Sequence, residues 1–241
     1  MNYIIILYII FGILPSLTWL SYYLRKDVHP ESNAMILKVF LWGALITLPV
    51  FFVQIGLADL LYKANLNKMA TAIIYWFLVI SFSEELFKYL VVRIKVINSP
   101  HLDEPLDVML YMVIAALGFT AVENILYLFI PMGQLSFNDL VSRTLMVSFI
   151  RFIGATFLHT LASATIGYYL ALSFCGVKKR IIYIIAGFVM ATALHGLYNF
   201  SIMVLEGPAK IAIPIAILMA LAFLVFSEFE KLKKIKGVCK I

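Results

Sequence analysis

Ionisable and amide side chains stand inside four apolar stretches of this sequence. FSEELFKYLVVR holds Glu84, Glu85 and Lys88, and GFTAVENILY holds Glu123 and Asn124. RFIGATFLHTLASATIGYYL holds Arg151 and His159, and ATALHGLYNF holds His195 and Asn199. On insertion scales an Asp, Lys or Arg at the centre of a spanning helix costs about 2.5–3.5 kcal/mol. Taken singly, each has a bland explanation. Glu84 and Lys88 are i and i+4, share a helix face and can form a structural ion pair. Glu85, turned about 100° away, faces a different neighbour. Arg151 can neutralise Glu85 or Glu123, a lone histidine can be a packing residue, and Asn124 or Asn199 can tie helices together. Together, three carboxylates, two histidines and two amides are too many for stability devices alone.

Two chemistries use such a set. In the first, a glutamate acts as general base on water, a histidine orients that water, and His/Asn donors stabilise a tetrahedral oxyanion in a low-dielectric pocket. In the second, His159, His195 and one or both of Glu84 and Glu123 ligate Zn2+ and leave a position open for water. No HExxH motif accompanies the metal reading. From another class, a proton- or ion-coupled transporter also uses buried Glu/His relays. His195 and Asn199, one helical turn apart, favour hydrolysis, because a relay has no use for an amide beside its histidine.

These residues need helices in a membrane to hold them. The chain is 63% hydrophobic and 13% charged, against roughly 45–50% and 25% in soluble domains, so lipid must be its solvent. A span takes about 20 mostly apolar residues. Seven stretches qualify, roughly 3–24, 36–62, 69–93, 107–130, 145–174, 181–204 and 210–228. The second is long enough to be split, and the fifth is expected to begin as an interfacial helix near Asn138 to Arg143. The first reads as a retained span, since it lacks a basic n-region and a small-residue cleavage site. The reading is an all-α polytopic bundle of about seven spans, one membrane-embedded domain over 1–241, with residues 80–200 as its catalytic core.

Charge orients it. Arg25, Lys26, Lys38, Arg93, Lys95, Lys178, Lys179, Arg180 and lysines 231, 233, 234, 236 and 240 fall on one side; Lys63, Lys68, Arg143 and Lys210 fall on the other. Thirteen against four puts the first side in the cytoplasm and the N-terminus outside. The net charge of +6 therefore reads as topology and anionic lipid contact, not nucleic-acid binding. Cys175 and Cys239 lie near cytoplasmic basic clusters and are expected to be unpaired thiols. Counted from the cytoplasmic ends, Glu84 lies nine residues deep, Glu123 sixteen, His159 fifteen and His195 fourteen. At 1.5 Å per residue that is a spread of about 10 Å, so four spans can present these groups to one buried site. Nothing in the pattern specifies an oligomer.

In order, EELFK (84–88), DEPLDVMLY (103–111), FTAVEN (119–124), HTLASATIGYYLA (159–171) and HGLYN (195–199) resemble the PrsW family of intramembrane proteases, within a superfamily that includes CAAX prenyl endopeptidases. The resemblance implies a multi-pass protein of a prokaryotic cell membrane. It implies endoproteolysis of a membrane-associated protein, such as an anti-sigma factor or other single-span regulator. By that resemblance Glu84 is the first choice for general base, with Glu85 or Glu123 assisting, and His195 and Asn199 form the oxyanion-binding element. His159 orients water or ligates a metal, and Lys88 and Arg151 tune carboxylate charge.

Overall fold

The computed structural model describes residues 2–26, 29–130, 136–175 and 179–235. Cys239 and the Cys175 side chain lie outside that description, as do Lys178, Lys236 and Lys240, so the thiol reading and part of the basic count do too. The described residues are helical with no strand: α1 (Asn2–Leu24), α2 (Asn33–Lys63), α3 (Lys68–Ile74), α4 (Ser83–Lys95), α5 (Pro105–Leu128), α6 (Phe137–Arg151), α7 (Phe157–Cys175), α8 (Arg180–Val204) and α9 (Ala209–Leu232). Two π-helical segments, Tyr75–Phe82 and Phe152–Thr156, join α3 to α4 and α6 to α7. Counting those pairs as one each, seven helices among the described residues are long and apolar enough to cross a membrane.

The helix starts follow local chemistry. Ser32, Asn67 and Ser136 each accept a backbone N–H of the first turn, and Glu104 with Asp107 closes a capping box around Pro105. The second stretch is one unbroken 31-residue helix, a single span with no split. The fifth is a continuous run of α6, the second π segment and α7 from Phe137 to Phe174, already helical over residues 138–143. The i→i+5 turn at Phe152–Thr156 keeps its two parts joined.

Helix α5 is the hub. Residues 105–121 are buried without interruption, and α1, α2, α4 and α7 pack around them. An all-round apolar helix suits such a place. The outer helices turn Phe52, Ile181 and Phe223 outward, as lipid-facing surfaces do. Crossings with α5 depend on glycine: a Cβ on Gly118 would fall on the Phe40 carbonyl, and one on Gly43 on the Ala115 carbonyl. Gly118→Ala is therefore expected to destabilise the bundle by about 1–3 kcal/mol. Gly56→Ala, with nothing within 4 Å, is expected to have no such effect. Melting of both variants in detergent checks this; equal midpoints would mean that the crossing relaxes freely.

Candidate active site

Each π segment lies directly before site residues. The first ends at Phe82, before Glu84 and Glu85; the second ends at Thr156, before His159. Such turns leave carbonyls without their usual partners, and side chains supply them. Ser81 Oγ donates to Trp76 O at 2.7 Å and Ser83 Oγ to Val79 O at 2.6 Å. Trp19 Nε1 donates to Phe152 O at 2.9 Å.

Glu85 is the buried centre of the network, with its side chain fully excluded from solvent. Its Oε1 accepts from Lys88 Nζ at 2.8 Å and lies 3.0 Å from His195 Nδ1, while Oε2 accepts from Ser163 Oγ at 2.6 Å. The i,i+4 pair read from the sequence is the looser one: Lys88 Nζ lies 3.9 Å from Glu84 Oε2. The ammonium also donates to His159 Nδ1 at 2.6 Å and stands over the Phe119 ring. These contacts offset the cost of burying a cation.

Proton accounting assigns both tautomers. Lys88 only donates, so His159 Nδ1 accepts, and Nε2–H faces Glu123 Oε2 at 3.1 Å. The Glu85 carboxylate only accepts, so in a neutral His195 ring the proton is on Nδ1. That leaves a lone pair on His195 Nε2, 3.8 Å from Glu84 Oε2. Both atoms are buried, and neither has a hydrogen-bond partner among the described residues. Two acceptors facing each other need a proton, a water or a cation between them.

Donor atoms of Glu84, His159 and His195 lie within 4.8 Å of one another. One carboxylate with two imidazoles matches a catalytic zinc donor set, and the Glu85–His195 bond is the outer support such a ligand needs. The residues therefore fit a divalent ion, with one proviso of geometry: His159 must exchange its Lys88 or Glu123 contact to join. Glu123, also considered as a ligand from sequence, is committed elsewhere. Its Oε2 pairs with Arg151 Nη2 at 2.7 Å. Arg151 thus serves Glu123 rather than Glu85; it also donates to Asn124 Oδ1 and stacks on Tyr127. Asn124 is a helix tie, donating to Gly12 O at 3.2 Å and Thr156 Oγ1 at 3.1 Å.

Glu84, Glu123, His159 and Asn199 line a cavity of about 830 Å³ with mainly apolar walls from α2, the first π segment, α5, α6 and α8. Asn199 makes no side-chain hydrogen bond among the described residues, so its amide is available to a guest. Glu85, Lys88 and His195 stand behind this wall. Gln54 and Ser163, which hold oxygens of Glu84 and Glu85, were missed from sequence. A lone amide in PVFFVQIGLADLL was the available signal for Gln54; serines, common in helix contacts, carried none.

The chain matches the family described as "PrsW family intramembrane metalloprotease" over residues 31–227, which includes every site residue above. It is 31% identical over 196 residues to Protease PrsW of Geobacillus kaustophilus, covering 81% of this chain and 79% of that one. It is 29% identical over 216 residues to Protease PrsW of Oceanobacillus iheyensis, covering 89% and 90%. With Protease PrsW of Bacillus subtilis the identity is 28% over 229 residues, 94% of each chain. No solved structure matches it. The chain belongs to the PrsW family of intramembrane metalloproteases.

Proposed function

We propose that this multi-pass membrane protein hydrolyses a peptide bond of a membrane-associated protein at the Glu84–His195 centre. The carrying observation is the pair of buried, unpartnered atoms, Glu84 Oε2 and His195 Nε2, 3.8 Å apart beside a cavity. Water held there can lose a proton to Glu84 while its oxygen approaches a carbonyl carbon. Glu85 fixes the His195 ring, Lys88 balances the two glutamates, and the Arg151–Glu123 pair holds His159. With His195 Nδ1–H given to Glu85, the donor that the His195–Asn199 pair leaves for an oxyanion is the Asn199 amide. Where a divalent ion such as Zn2+ is bound, Glu84, His159 and His195 would hold it, and it would supply Lewis-acid polarisation and a more acidic water.

The cavity also favours a guest arriving from lipid. Among the described residues, helix α6 packs on α1 and α5 and shares no extended interface with α2 or α8, although all three line the cavity. Exposed Phe52, Ile150 and Met203 stand on its rims. With the N-terminus outside, this opening lies in the outer half of the membrane.

The test is cleavage of a tagged single-span protein in proteoliposomes, with metal analysis before and after chelation. Cleavage that is lost on chelation and restored by Zn2+ is expected. Cleavage that persists in metal-free protein would overturn the metal reading and leave Glu84 as base. Proton or ion flux without peptide release would overturn hydrolysis.

A further inference from the structure

Hydrolysis as proposed above requires Glu84 to keep one carboxylate oxygen, here Oε2, turned toward His195. A glutamate has several rotamers, and the opposing lone pair on His195 offers it nothing to hold. The holding contact comes from another helix. Gln54 of α2 donates Nε2–H to Glu84 Oε1 at 3.1 Å. Its second amide hydrogen reaches Ser83 Oγ at 3.3 Å. The Ser83 hydroxyl hydrogen is itself given to the π segment, at Val79 O. Both Gln54 donors are therefore spent on neighbouring residues of one turn, one on the reactive carboxylate and one on the backbone seam beneath it.

The position is unusual in its own right. Gln54 is flanked by Phe51, Phe52, Val53, Ile55 and Leu57 in an apolar stretch of α2, and an amide there is costly unless paired. It also lines the cavity, next to the proposed reacting centre. We infer that Gln54 is a positioning residue that clamps Glu84 Oε1 and so presents Oε2 to the centre. This rests on the proposed hydrolysis at Glu84.

A simple tie between α2 and α4 is the competing explanation, and the two arms of the amide separate them. Gln54→Met removes both arms with little change of shape. Gln54→Asn keeps an amide but is one methylene too short to reach Glu84. Ser83→Ala removes the seam arm, together with the Ser83 bond to Val79 O, and leaves the Glu84 arm in place. Steady-state cleavage of the tagged single-span protein in proteoliposomes is measured for all three. Both Gln54 variants are expected to lower kcat about tenfold with KM unchanged. Ser83→Ala is expected to stay within about twofold of wild type. Equal losses in Gln54→Asn and Ser83→Ala would overturn the assignment in favour of a helix tie, and so would unchanged kcat in the Gln54 variants. Absence of cleavage in the wild-type protein would instead overturn the proposed hydrolysis, which keeps the two failures distinct.

Discussion

Glu84→Gln is expected to abolish cleavage of a membrane-embedded substrate, by about 10³-fold or more, while the protein melts at or above the wild-type temperature. Activity should vanish because Glu84 Oε2 is the buried carboxylate oxygen left without a partner at the cavity wall. Stability should hold for the same reason. In the wild type that oxygen faces the bare Nε2 of His195 at 3.8 Å. A glutamine placed there can donate an N–H to His195 and still accept from Gln54, which turns an acceptor–acceptor clash into a hydrogen bond. Cleavage within tenfold of wild type would remove Glu84 from the reaction. A large fall in melting temperature would show that its charge is structural.

Lys88→Met is expected to produce the opposite profile, a marked loss of stability. The Lys88 and Glu85 side chains are fully buried and joined at 2.8 Å. Removing the cation leaves Glu85 as an uncompensated charge facing His195 and Ser163, at a cost of about 3–5 kcal/mol. For a chain of this length that corresponds to a fall of roughly 10 °C in melting temperature. Removing both charges in Lys88→Met/Glu85→Leu should recover most of that loss, because the penalty belongs to the unpaired carboxylate. Cleavage should not return, since His195 Nδ1 would then have lost the group that orients it. Detergent melts of the two variants check the pair. A single variant that melts within about 2 °C of wild type would mean that water or another group compensates Glu85.

Much of this protein was legible before any coordinates. Span number followed from apolar run length. Polar residues at similar depth in four spans were expected to meet, and Glu84, Glu123, His159 and His195 do. Their partners were less legible. Helical spacing pointed to Glu84 as the mate of Lys88, yet the ammonium sits closer to Glu85. Spacing along one helix says which side chains can meet, and a third group on another helix decides which one does. Here His159 draws Lys88 to 2.6 Å on the side where Glu85 also lies.

By itself, then, the sequence determined the solvent, the spans and the set of groups brought to one depth, because each depends on local composition and on a fixed rise per residue. The division of labour among those groups was decided by tertiary structure. Two π turns set the helical phase just before Glu84 and His159. Gln54 and Ser163 arrive from helices far away in sequence to take one oxygen of Glu84 and one of Glu85. Glu85 thereby becomes a saturated support and Glu84 the open carboxylate, a difference that two adjacent identical residues cannot carry in their own names. Only the packing of the other spans with α5 at their centre tells them apart.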